Sequence, residues 1–374
     1  MFGKDYDIVK RRYLEYWNRE NHDTPLVSVY ARERLGGEEG SGAGGGPNGS
    51  RTANQAELRR RWLDTEASVA AFRRSLKRTY CGGDAYPCYN PNLGPDIIGA
   101  ICGCDLEFGE ETSWAVHCVD DWADYPPIAF DENNFWFKKI AEITKAACDD
   151  SCGDYLVNIT DLHPGMDALV SLRGPEQLCL DMADCPDEVI SRVNQVHAVH
   201  TEVYNRLESI TSQIQRGTCN WMGAWYPDKR WYVTSEDFTA LISGDDAERF
   251  VLPHIMAELD FLDASIFHLD GPTALHHLDR LLQLPNLNGV QWVYGAGQPT
   301  ARFWPQVLTK IQRAGKLIDI FAEPDDLAPL CELLEPEGLH IHCGAANRED
   351  ADAMLAMVAR IYKDKRNVGV GFHK

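Results

Sequence analysis

A chain of 374 residues, 44% hydrophobic and 10% aromatic, carries enough apolar material for a large core. It has no apolar run of roughly 18 residues, which argues against a membrane-spanning helix. Its 57 acidic and 36 basic residues leave a net charge of −21, which disfavours nucleic acid and polyanionic substrates as partners and suits a well-solvated acidic surface.

The N-terminal stretch MFGKDYDIVKRRYLEYWNRE reads as a charged helix and lacks the apolar segment of a secretory signal. A cytoplasmic protein is therefore expected. The 12 cysteines are scattered and form no CxxC pair. In a reducing compartment they read as free thiols, mostly acting as small buried hydrophobes. Cys102 and Cys104, with no histidine nearby, belong to that group.

Residues 25–30 (PLVSVY) read as a first buried strand. A Gly/Ser-rich stretch at 36–50 follows and cannot bury apolar area, so it reads as a flexible loop, either an active-site flap or a surface insertion. Residues 52–80 read as helical, and one strand is expected within 100–120. From residue 131 a rhythm sets in. Helix 135–150 precedes strand 155–160, and helices across 175–215 precede strand 218–222. Helix 245–263 precedes strand 265–270, and a short helix at 273–283 precedes strand 289–294. Helix 300–314 precedes strand 316–321, and helix 325–334 precedes strand 338–343. Helix 348–363 follows, with a last short strand at 367–372. Six-residue strands alternating with longer helices indicate parallel βαβ units. About eight strands favour a single (β/α)8 TIM barrel over 1–374 with an N-terminal helical extension. No GxGxxG follows an early strand, as a dinucleotide-binding sheet would require.

In such a barrel the chemistry gathers at the carboxyl ends of the strands. Those ends carry Tyr30, Asp161, His163, Trp221, His268, Asp270, Trp292 and Cys343. His268 and Asp270 stand two apart on one strand and so share a face. With Cys343 they offer nitrogen, oxygen and sulfur donors, the three-ligand pattern of a catalytic zinc with an open fourth position. Without metal, His268 and Asp270 read as a hydrogen-bonded pair. Asp237 reads as a catalytic or substrate contact, or as the acid at a helix N-terminus. Asp161 and His163 read as an acid–base pair or as turn caps before Pro164–Gly165. Tyr30, Trp221 and Trp292 read as walls of a substrate pocket, or as core.

At these residues the sequence resembles the uroporphyrinogen decarboxylase superfamily, which includes the cobalamin-dependent methyltransferases. The stretches that carry the resemblance are NPNLGPDIIGAICGCDLEFGEETSW, SEDFTALISGDDAERFVLPHI, FHLDGP and LHIHCGA, within 90–374. The resemblance implies a TIM barrel with its pocket at the strand C-termini, and a homodimer. The decarboxylase branch implies an Arg-Gln-Ala-Gly-Arg stretch after the first strand; here Tyr30-Ala-Arg32-Glu-Arg34 breaks it. The methyltransferase branch implies zinc held by His-x-Cys-Gly and a later Cys-Gly. Here His268 and Cys343 match, and Asp270 replaces a cysteine. A His/Asp/Cys set is harder than a thiolate-rich one and suits oxygen or amine ligands.

The expectation is therefore the methyltransferase component of a corrinoid-dependent system acting on a small-molecule substrate. Asp237, His163 and His268 would be catalytic, and His268, Asp270 and Cys343 would hold Zn2+. Because the chain has no further domain for a corrinoid, that cofactor would arrive on a separate protein. The alternatives are a metal-independent decarboxylase with Arg32 or Arg34 gripping a carboxylate, and a non-catalytic ligand-binding barrel.

Overall fold

The computed structural model describes residues 5–32 and 54–371. The described strands, in chain order, begin with β1 (Leu26–Arg32), β2 (Thr79–Gly83), β3 (Cys88–Tyr89), and the hairpin β4 (Asp105–Phe108) and β5 (Ser113–Val116). Next come β6 (Leu156–Val157), the hairpin β7 (Thr218–Cys219) and β8 (Trp225–Tyr226), and β9 (Trp231–Ser235). The last four are β10 (Ala264–Asp270), β11 (Gly289–Val293), β12 (Leu317–Ala322) and β13 (Leu339–Ala345). One seven-stranded sheet runs β2-β1-β13-β12-β11-β10-β9, parallel throughout except for the edge pair β2–β1.

The strands of this sheet are apolar on both faces, as parallel strands covered by helices must be. Each is interrupted by a polar residue, and the register aligns these: His268 sits beside Gln291, Gln291 beside Asp319, and Asp319 beside His340. Partners in a parallel register point to the same side, so a polar row crosses four adjacent strands. The intervening residues point into the helical layer. Trp292 is fully buried there, whereas Trp231 lies on the His268 side and is fully buried against the Trp17 ring at 5.0 Å.

Beyond the seven-stranded sheet the pairing is short. β3 pairs with β6 in parallel, and a bridge joins Ile159 to Asn220. Side chains span the remaining gaps. Thr218 Oγ1 accepts from the Trp231 amide at 2.8 Å, and the Tyr30 hydroxyl donates to the Tyr86 carbonyl at 3.1 Å. The molecule is thus mixed α/β with a large parallel sheet, and no unbroken barrel ladder closes among the described residues. Among the described residues, no helix is long and apolar enough to cross a membrane.

Several sequence expectations change. Within 100–120 the strands form the antiparallel hairpin β4–β5, outside the main sheet. The short strand β3, unforeseen, pairs with β6 instead. The 218–222 strand shrinks to β7, which folds back on β8. The sheet strand after it is β9, whose WYVTS run is buried at every residue. Residues 367–371 continue the helix Arg348–Gly371 rather than starting a strand. The N-terminal helix Tyr6–Trp17 forms as expected, with the Tyr13 and Tyr16 rings each 5.6 Å from His340. The 36–50 loop and Arg34 lie outside the described residues.

Candidate active site

The carboxyl ends of β9 and β10 and the turn after β6 meet at one cluster. His268 and Asp270 close β10 on one face. Asp237 begins the turn after β9, held by Asp167, whose carboxylate accepts the amides of Asp237 and Phe238, both at 2.8 Å. The donor atoms of Asp237, His268 and Asp270 lie within 4.8 Å of one another, and so do those of Asp237, Asp167 and His163. Asp237 is common to both groups.

Charge is crowded here. Burial, Asp167 and Asp270 push the Asp237 carboxyl up to about 6, against the pull of His163 and His268. Burial opposes a charge on His163, but Asp161 at 2.9 Å and Asp167 at 3.6 Å outweigh it and hold its pKa well above the usual imidazole range. Ser235 Oγ lies 3.2 Å from His163 Nδ1. Trp221 stands between the two histidines, its ring 6.1 Å from His163 and 5.1 Å from His268, and its indole N–H has no hydrogen-bond partner.

The polar row behind this cluster fixes the His268 tautomer. Gln291 Nε2 donates to Asp319 Oδ1 at 3.1 Å, so Gln291 Oε1 faces His268 Nδ1 at 2.6 Å. A carbonyl oxygen can only accept, so Nδ1 carries the hydrogen, and in the neutral ring the lone pair is on Nε2. This is the support a metal-ligating histidine normally has. The chain continues. Asp319 Oδ2 lies 2.8 Å from His342 Nε2 and 3.0 Å from His340 Nδ1, and His340 Nε2 lies 2.9 Å from Ser28 Oγ. Burial opposes the Asp319 charge, but His342 and His340 hold its carboxyl well below the usual range.

A pocket of about 550 Å³ opens at the carboxyl ends of β1, β12 and β13, lined by Tyr30, Tyr294, Phe321, Glu323, His342 and Cys343 among others. No lysine or arginine lines it among the described residues. Tyr30 thus lines a pocket.

Two expected roles change. Cys343 belongs to none of the converging donor groups. Its thiol donates to the Gly344 carbonyl at 3.4 Å, and burial together with Glu323 pushes it up to about 11, so it stays protonated at neutral pH. Asp237, not Cys343, is the third donor beside His268 and Asp270. Trp292 is not a pocket wall. It alternates with the inward Gln291, is fully buried, and packs edge-on against Trp304 at 5.2 Å. Arg32 turns away towards Arg74 and Arg78. The sequence reading missed Asp167, Gln291, Asp319, His340 and Ser28. The available signals were the i,i+4 spacing of His163 and Asp167 and a polar residue at the centre of otherwise apolar strands.

With strand-end histidines and carboxylates on a parallel sheet in view, the fold can be compared with known ones. A solved methyltransferase shares it. That structure, a methyltransferase from Methanosarcina mazei, superposes with a TM-score of 0.58 over 95% of this chain and 99% of its own, at 12% sequence identity. The likeness is one of fold. No family model matches the sequence, and no curated protein matches it.

Proposed function

We propose that the chain catalyses methyl transfer between a corrinoid carried on a separate protein and a small neutral or cationic substrate bound at the strand ends of a barrel-like fold. The observation that carries this reading is the convergence of the Asp237, His268 and Asp270 donor atoms within 4.8 Å of one another at the strand ends. The fold shared with a methyltransferase supports it. The donor set fits Zn2+: one imidazole with a free Nε2 and two carboxylates are ordinary zinc ligands. Burial first, and then repulsion from Asp167 and Asp270, lifts Asp237, and a bound cation would relieve that repulsion. His268, Asp270 and Asp237 would hold the ion, which supplies Lewis-acid polarisation of a substrate heteroatom when bound.

The chain's own residues do the rest. Asp161 and Asp167 keep His163 protonated beside the cluster, so it gives a proton to a heteroatom losing its methyl group and regains one in the reverse direction. Trp221 packs a flat face between His163 and His268, where it orients the substrate and excludes water. The carboxylates attract an amine and repel a carboxylate-bearing substrate, a preference opposite to that of a decarboxylase.

Methylcobalamin offered with a panel of amines, thiols and carboxylates tests this. Loss of the methyl-corrinoid absorbance with amine or thiol acceptors supports the proposal. Carbon dioxide release from a carboxylate with no corrinoid turnover would replace it.

A further inference from the structure

A second group of donor side chains lies away from the mouth, between the helices Pro186–Thr211 and Leu252–Phe261. His197 and His200 stand one turn apart on the first helix, and His254 and Glu258 one turn apart on the second. Residues three or four apart share a helix face. His200, His254 and Glu258 are buried and His197 is half-buried.

The donors crowd together at ion-pair distances. His254 Nε2 lies 3.1 Å from Glu258 Oε1, and His200 Nδ1 lies 3.6 Å from the same oxygen. The His197 and His254 rings meet edge-on at 5.4 Å. Yet His197 Nδ1, both nitrogens of His200, both of His254, and Glu258 Oε1 are buried without an aligned hydrogen bond. Each such atom left unmatched costs roughly 1–3 kcal/mol, and one bound ion would take up one nitrogen of each imidazole it meets together with the Glu258 oxygen. A tetrahedral ion with bonds of about 2.0–2.1 Å sets its donors about 3.3 Å apart, close to the spacings seen.

We propose that His197, His254 and Glu258, with His200 alongside, form a second metal centre for a divalent ion of the zinc type, separate from the mouth cluster. The donor atoms of the first three lie within 4.8 Å of one another. Two imidazoles and a carboxylate favour Zn2+, Fe2+ or Co2+ over Mg2+ or Ca2+. The ion would tie the two helices together behind β9. His254 Nε2 also lies 3.6 Å from Glu236, which accepts the Met166 amide at 3.2 Å and directly precedes Asp237. The centre therefore braces the turn that carries Asp237.

The test uses the full chain with His268→Ala, which disables the mouth cluster. Metal-free protein is titrated with Zn2+ against a chromophoric competitor, and its melting temperature is read with and without Zn2+. One equivalent bound and a raised melting temperature are expected in H268A. Adding His197→Ala, at the half-buried lip, or Glu258→Gln, which keeps the side-chain volume, should remove both. No zinc binding by folded H268A, or the same binding after either second substitution, would overturn the proposal.

Discussion

At the residue scale the cluster depends on which nitrogen of His268 carries the hydrogen. Gln291 decides that through an amide whose own orientation is set by Asp319. Replacing Gln291 by Leu removes the acceptor while nearly preserving volume. We expect zinc affinity at the mouth to fall about 10–100-fold, with the fold retained, as read by competition titration in an E258Q background. The two tryptophans separate by consequence. Trp292→Ala empties a core site and should cost about 3–5 kcal/mol in urea unfolding. Trp221→Ala should leave stability nearly unchanged and cut turnover instead. A pocket role for Trp292 would show the reverse.

At the element scale the turn before the helix Gly165–Arg173 admits only glycine. Gly165 sits at φ +64°, and a Cβ there would strike Glu236 Oε1 and press on His254. That close approach lets Glu236 cap the Met166 amide. Gly165→Ala should therefore destabilise the protein by more than about 1 kcal/mol, measured as a lower urea midpoint at unchanged slope.

The strands β10 to β13 were legible in the sequence because each is a short, mostly apolar run bounded by turn residues. The end positions His268 and Asp270 followed directly from the i,i+2 rule. β9 was not legible, since WYVTS follows another short β-like run in TCNWM and periodicity does not say which of the two joins the sheet. The helix through 367–371 was hidden because NVGVGF has the β-branched composition of a strand, and the preceding helix overrides that local preference. Asp237 was named, but its place beside His268 was not, because only the folded register brings the ends of β9 and β10 together.

At the scale of the whole molecule, buried imidazoles govern acid stability. The His340 pKa is lowered to about 4, by burial first and then by His342. An unfolded imidazole titrates near about 6.5. The unfolded chain therefore takes up protons first, and stability falls as pH drops from about 6.5 to about 4. His200 shifts the same way, whereas the raised pKa of His163 adds stability only as pH falls towards about 6.5 and contributes no further slope below it. Below that window Asp319 takes over, because its depressed carboxyl stays charged after the unfolded one has protonated. Urea midpoints in chelator-treated protein should decline steadily between pH 7 and pH 4; midpoints flat over that range would contradict a neutral buried His340.

The central claim, that methyl transfer runs at the cluster of Asp237, His268 and Asp270, is tested most directly by the rate of methylcobalamin demethylation with an amine or thiol acceptor, in wild type and His268→Ala side by side. The expected result is turnover by wild type and loss of at least about 100-fold in H268A, with unchanged melting behaviour once the zinc contribution is matched. Equal rates in the two proteins, or no corrinoid turnover by wild type with any acceptor, would contradict it.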